Sequence, residues 1–182
     1  MSEPWVVIPN LLSAAECSEQ IQRAEAVGFE EAPINGYRGI VMRKDIRDNT
    51  RVMLDDPDRA LWIWERLAPI FPPDLGVPGW RPVGLNERLR YYRYDPGQFF
   101  RPHTDGYFAR ENGERSFLTL LVYLNDDFVG GETCFPGAMI RPERGMALLF
   151  SHPVLHESRS IDRGRKYVLR TDVMFREEEE PL

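Results

Sequence analysis

The chain has 182 residues, enough for one domain with a sizeable core, and its apolar fraction of 42% is ordinary for a globular protein. The formal net charge is -6, much of it from Glu177, Glu178, Glu179 and Glu180, and an acidic balance argues against nucleic acid or an anionic membrane as a partner. The local run Arg43, Lys44 and Arg47 reads as a solvated loop, and Cys17 and Cys134 as reduced packing thiols. The apolar run from Trp5 to Ile8 is stopped by Pro9, too short for a signal peptide or a membrane span, so the expected location is the cytoplasm.

In chain order, Trp5, Val6, Val7 and Ile8 suit a buried strand. Ser13 and Glu16 match a capping box, and Ile21, Ala24 and Val27 follow at helical spacing before Gly28. Asp56 and Pro57 open a second predicted helix, which carries Leu61, Trp62, Trp64 and Leu67 and ends before Pro69. The stretch from Phe71 to Pro82 is rich in Pro and Gly and reads as a loop. From Leu85 onward short β segments follow: Arg88 to Tyr94, Phe99 to His103, Phe117 to Leu124, Thr133 to Phe135, Met146 to Phe150 and Lys166 to Phe175. Turn signals such as Asp95-Pro96-Gly97 and Gly130-Gly131 separate them. The pattern predicts a single domain: helical support and loops over 1–84, a β core over 85–176 with jelly-roll character, and an acidic tail over 177–182. Residues 119–124 are too apolar for a clean wet face, so that strand belongs inside, one face lining a pocket.

The chain holds three histidines. His103 and Asp105 are two residues apart, so on a strand both side chains point one way and can reach one ion. A neutral imidazole and a carboxylate suit Fe(II), and a second histidine from a distant strand completes a two-His-one-carboxylate triad with open positions. His152 and His156 are both available for that place. Lys166 opens a strand after Gly164, and a carboxylate ligand buried in a β pocket needs such a cation; leaving it unpaired costs about 3 to 5 kcal/mol. Lys166, Val168 and Arg170 share one strand face, so both cations are pocket candidates.

Residues 88–175 resemble the 2-oxoglutarate-dependent dioxygenase domain of prolyl 4-hydroxylases and their bacterial relatives. The resemblance is carried by Tyr94-Asp95-Pro96-Gly97-Gln98 leading to Pro102-His103-Thr104-Asp105, then Tyr123-Leu124-Asn125 and Gly130-Gly131-Glu132-Thr133. Gly145 to Phe150 follows, and then His156 through Gly164 to Lys166. It implies a double-stranded β-helix, a jelly roll of cupin type, α+β but mainly β, supported by the N-terminal helices. It implies iron on His103, Asp105 and His156; His156 is preferred to His152 for its spacing to Lys166 and because Pro153 follows His152. It matches Lys166 to the basic residue that pairs with the 5-carboxylate of 2-oxoglutarate, Tyr123 to a co-substrate position and Tyr94 to a pocket-lining aromatic. Arg170 departs from the small or polar residue expected beyond the lysine; contact with 2-oxoglutarate, a substrate anchor and a pair with Asp172 all fit.

The implied cofactors are Fe(II), 2-oxoglutarate and O2, with ascorbate as an accessory. The implied reaction hydroxylates a C–H bond with release of succinate and CO2. A prolyl residue of a protein or peptide is the favoured substrate, and a free amino acid or other small molecule the alternative. A sensor that binds metal or 2-oxoglutarate without turnover, or a metal-free interaction module, are the rivals of another class. The segment from Asp48 to Arg51 and the loop from Tyr107 to Arg115 are expected to face substrate.

Overall fold

The computed structural model describes residues 3–36 and 39–178. The first third contains β1 (Trp5–Ile8), α1 (Ala14–Val27), β2 (Glu30–Glu31), β3 (Ile34–Gly36), β4 (Gly39–Val41), β5 (Arg47–Asp48), β6 (Thr50–Asp55) and α2 (Pro57–Leu67). Then come β7 (Trp80–Leu85), β8 (Arg88–Tyr94), β9 (Phe99–His103), β10 (Arg115–Tyr123), β11 (Val129–Gly130), β12 (Thr133–Phe135) and β13 (Ala138–Ile140). The chain closes with β14 (Ala147–Ser151), β15 (His156–Ser158), β16 (Ile161–Arg163) and β17 (Lys166–Glu177). No helix among the described residues is long and apolar enough to cross a membrane.

Both helices start where the caps place them. The Ser13 hydroxyl accepts from the Glu16 amide and the Glu16 carboxylate from the Ser13 amide, while Asp56 accepts from the Arg59 amide ahead of Pro57. The second helix buries Ala60, Ile63 and Leu67, whereas Leu61 is exposed.

The architecture is mainly β, two antiparallel sheets face to face. The larger has eight strands in the order β1-β14-β10-β17-β8-β6-β2, with β7 also on β17; the smaller runs β13-β12-β15-β9-β5. One face of the large sheet packs on the helices: Leu120, Leu149, Leu169 and Val173 join Cys17, Ala24, Ile63 and Leu67 in one core. The other face meets the small sheet, where Tyr92, Leu121, Tyr123, Leu148, Phe150 and Val168 pack with Phe135. The strand over 119–124 is buried along its whole length, as its composition requires.

Three expectations change here. Residues 1–84 are more than helical support and loops: besides the expected strand β1, the strands β2, β6 and β7 also join the large sheet. The loop read over 71–82 ends in β7, whose Pro82 and Gly84 are tolerated because the strand pairs with β17 alone. The acidic tail starts later than 177: Glu177 ends β17 and the Glu178 amide donates to the Gly79 carbonyl, while residues 179–182 lie outside the described residues.

Candidate metal centre

His103 ends β9, and His156 opens β15 directly opposite it in the strand register. Asp105 lies two residues past the end of β9, so it reaches its place as a loop residue and not as the next same-side residue of a strand. Its amide donates to the His152 carbonyl, which fixes the turn. One donor atom from each of His103, Asp105 and His156 lies within 4.8 Å of the others. His103 Nε2 is 3.9 Å from Asp105 Oδ1, and His156 Nε2 is 3.8 Å from Asp105 Oδ2.

Both imidazoles are held in one tautomer. His103 Nδ1 donates to the Arg101 carbonyl at 2.8 Å and His156 Nδ1 to the Val154 carbonyl at 3.0 Å, which leaves the Nε2 lone pairs facing the shared space. Phe100 stacks on His103 with centroids 3.5 Å apart, and Phe150 and Phe135 flank His156. Burial, with His156 nearby, pushes the His103 imidazole down to about 4, and burial lowers His156 as well. Burial alone would raise the Asp105 carboxyl, but Arg170, then His156, Thr119 and His103 overturn it and hold the group well below the usual carboxylate range. Two neutral imidazoles and a carboxylate, with lone pairs converging, fit a divalent transition metal.

Asp105 is steered from behind by a one-way chain of hydrogen bonds. The Phe108 amide donates to Ser116 Oγ, which donates to His152 Nε2 at 2.9 Å. His152 Nδ1–H then donates to Thr119 Oγ1 at 3.0 Å, and the Thr119 hydroxyl to Asp105 Oδ2 at 2.6 Å. Burial lowers His152, so it stays neutral with both ring nitrogens occupied. The rival for the third ligand place is thus a positioning residue. Arg170 grips the same carboxylate from the other side at 3.3 Å and Asp172 at 3.1 Å, the pairing with Asp172 anticipated from the sequence.

Lys166 closes the far end of a cavity lined by Tyr94, Thr133, Ser158, Val168 and Arg170 as well as the triad. Only 1% of it is exposed. Its Nζ donates to the Gly131 carbonyl at 2.6 Å and to Ser158 Oγ at 3.0 Å, and among the described residues no carboxylate pairs with it. Burial pulls its ammonium down to about 7. Gly131 is at φ +70, and a Cβ there would collide with Ile161 Cδ1 and press on Lys166 Cδ, so the carbonyl can approach the lysine only from a glycine. Tyr94 and Tyr123 lie beside the ammonium, which sits 5.2 and 5.5 Å from their ring centroids, and the Tyr123 hydroxyl pairs with Thr133 Oγ1 at 2.6 Å. A buried cation lacking an anion, at the end of a cavity that starts at the triad, fits one carboxylate of a dicarboxylic ligand.

Arg47 corrects the expected solvated loop. It is only 6% exposed, and its guanidinium lies over both the Tyr92 and Phe100 rings at 4.6 Å. Its neighbours Arg43 and Lys44 are exposed, paired with Asp45 and Glu31. Thr119, Tyr92, Arg51 and Arg90 also border the site without having been singled out as site residues; only Arg51, within the segment from Asp48, carried a signal.

A mainly β jelly roll with a His-Asp-His cluster between its sheets is the architecture of a metal-binding jelly-roll protein. The profile of the 2OG-Fe(II) oxygenase superfamily matches residues 89–171, which hold β9 to β16 and all three cluster residues. The chain is similar to prolyl 4-hydroxylase 1 of Arabidopsis thaliana, 28% identical over 166 residues, covering 80% of this chain and 56% of that protein. It is similar to a putative prolyl 4-hydroxylase of Acanthamoeba polyphaga mimivirus, 28% identical over 198 residues, covering 94% and 73%. The fold superposes on the viral collagen prolyl hydroxylase of Paramecium Bursaria Chlorella virus-1 with a TM-score of 0.67 at 19% identity, over 95% of this chain and 97% of that one. Over residues 89–171 the chain matches the 2OG-Fe(II) oxygenase superfamily, and in sequence and fold it is prolyl 4-hydroxylase-like. It spans little more than half the length of the Arabidopsis relative.

Proposed function

We propose that the protein is an Fe(II)- and 2-oxoglutarate-dependent dioxygenase that hydroxylates a prolyl residue of a protein or peptide. The observation that carries this reading is the pairing, within one cavity, of a converging His-Asp-His cluster and a fully buried lysine with no carboxylate partner among the described residues. His103, Asp105 and His156 would hold the iron, and Lys166 would take the 5-carboxylate of 2-oxoglutarate. Bound iron with 2-oxoglutarate and dioxygen supplies oxidative decarboxylation to succinate and CO2 with transfer of one oxygen atom to a C–H bond.

The chain's own residues orient, charge-match and exclude water. Thr119 and Arg170 fix the Asp105 carboxylate in its ionised form. Tyr94 and Tyr123, both buried, lie beside the lysine ammonium and shield it from solvent. The prolyl substrate is supported by the names of the relatives, and ascorbate as an accessory rests on the family resemblance alone. A reducing, cytoplasmic setting suits the free thiols Cys17 and Cys134.

The test is an anaerobic absorption titration, Fe(II) into the apoprotein and then 2-oxoglutarate, followed by oxygen and a prolyl peptide. A visible charge-transfer band needing both ligands, absent in His103→Ala, with succinate formed on oxygenation, is the expected result. Binding without succinate under any prolyl peptide would assign a sensor instead, and no iron binding by folded protein would remove the reading.

A further inference from the structure

On the open side of the triad lies a second hollow, about 360 Å³, that does not reach Lys166. It shares Tyr92, Phe100, His103, Asp105 and Arg170 with the lysine cavity, and four arginines border it: Arg47, Arg51, Arg90 and Arg170. The sheet register explains the crowding. Arg90 stands directly opposite Arg170 across β8 and β17, and Arg51 opposite Tyr92 across β6 and β8, all on the face turned toward the small sheet. Like charges directly opposite one another on a sheet are destabilising, so this arrangement is not explained by the fold.

Nor do the local anions balance it. Asp172 accepts from Arg90 at 3.4 Å and lies 3.1 Å from Arg170; with Asp105 given to a metal, it is the remaining carboxylate lining the hollow among the described residues. Arg47 binds Asn49 Oδ1 and the Pro33 carbonyl, both neutral, and among the described residues its buried Nη2 has no partner. Arg51 makes no ion pair among the described residues, although Glu30 stands opposite it in register. Burial, then Arg47, pull the Arg51 guanidinium down, with Arg90 adding to them, the mark of cations crowded together out of water. The Tyr92 hydroxyl feels the same field: burial would raise it, but Arg170, Arg47 and Arg90 turn the shift downward.

We propose that this arginine-lined hollow is a carboxylate subsite, and that the substrate carries a carboxylate close to the carbon that is oxidised. Guanidinium forks match a carboxylate's two oxygens, and partly desolvated arginines gain most from such a partner. Neither carboxylate of 2-oxoglutarate is left for the hollow: Lys166 waits for the 5-carboxylate at the opposite end, and the 1-carboxylate would be taken up by the metal. The anion therefore belongs to the substrate: an acidic side chain beside the prolyl residue, a chain-terminal carboxylate, or the carboxylate of a free amino acid. The inference deepens the hydroxylase reading and rests on it for the identity of the oxidised residue.

The experiment is calorimetric binding to the protein loaded with Mn(II) and 2-oxoglutarate under argon. The probes are short prolyl peptides blocked at both ends with Gln flanks, Glu flanks or Lys flanks, a further Gln peptide with its C-terminal block removed so that it ends in a free prolyl carboxylate, and L-proline against L-prolinamide. At least one carboxylate probe should bind about 10-fold or more tightly than its neutral partner, and the Lys peptide more weakly than either, with the gap closing as salt rises. Which carboxylate probe gains names the source of the anion. Arg51→Gln and Arg90→Gln should each shrink the gap, mainly through the affinity of the charged probe. Equal affinities across every pair, or a gap untouched in the double variant, would overturn the subsite; the probe series on the unaltered protein decides even if the variants fail to fold. Hydroxylation without charge preference overturns the subsite and leaves the dioxygenase standing. Charge-selective binding with no succinate on exposure of the iron form to oxygen does the reverse.

Discussion

The two faces of β17 differ in what they are made of and in what they bear. On the side of the helices, Leu169, Val173 and Phe175 are fully buried hydrocarbon in contact with the α2 side of the molecule. On the side of the small sheet, Lys166, Arg170 and Asp172 are nearly as buried, and they carry charge. A single strand thus separates a surface that holds the fold together from one that bears the charges of the proposed site at some cost to the fold. The lesson is that burial alone does not identify core: the same depth means packing on one face and recognition on the other.

The comparison can be broken in four places. The largest effect is expected for His156→Ala, opposite the charged face: metal binding and succinate formation should fall to background while the metal-free protein unfolds cooperatively, checked by metal titration and thermal melting. Retained activity would remove the triad assignment.

Next, Leu169→Ala on the helix face should lower stability by about 2 to 5 kcal/mol in urea and leave 2-oxoglutarate affinity unchanged in the folded protein. A loss of affinity without loss of stability would dissolve the distinction between the faces.

Third, Lys166→Met should weaken 2-oxoglutarate by about 10- to 100-fold, the weight of charge-assisted hydrogen bonds, and not weaken the fold. It also has a pH signature. The folded pKa of about 7 lies below the ordinary lysine value of 10.5. Between these the unfolded chain holds the extra proton, so this residue's contribution to stability of the ligand-free protein rises with pH across that window. The difference in melting temperature between wild type and Lys166→Met should therefore narrow from pH 7 to 9; a constant difference would contradict a buried, ligand-seeking cation.

The smallest effect is expected for Thr119→Val, which keeps the shape and removes the hydroxyl between His152 and Asp105: about a 10-fold loss of metal affinity, in the range typical of groups that orient a ligand. Unchanged Mn(II) affinity would make the chain from Ser116 to Asp105 a packing feature only.

Much of the large sheet was legible because its central strands are long, apolar and bounded by turn residues. The segments over 88–94 in the large sheet, and 99–103 and 133–135 in the small one, fall where the turn signals place them, and Ser13 and Asp56 announce their helices by side-chain chemistry alone. What stayed hidden has physical causes. β2 to β5 span two or three residues each, too few for any period to register. β7 contains Pro82 and Gly84, residues that argue against a strand unless it is known to lie at an edge. Arg47 follows Arg43 and Lys44 in a charged loop, and nothing local reveals that two aromatic rings from distant strands receive it. In the site, the cluster's members were visible as residue types in order. The route by which Asp105 is aimed was not, because it passes through Thr119, Ser116 and His152, which meet only after the sheet forms.

The direct pairing of His103 with His156 makes the ladder between β9 and β15 a ruler for the site. Side chains alternate faces along a strand, so a slip of one residue there would turn one imidazole away from the other. The chain between these two strands is under no such demand at its exposed turns. An insertion at the turn around Gly137, where an added Cβ meets nothing, leaves the ruler unread, whereas a single residue added within β15 erases it. The site is therefore tolerant of how far apart its halves lie along the chain and intolerant of how they are clocked against each other.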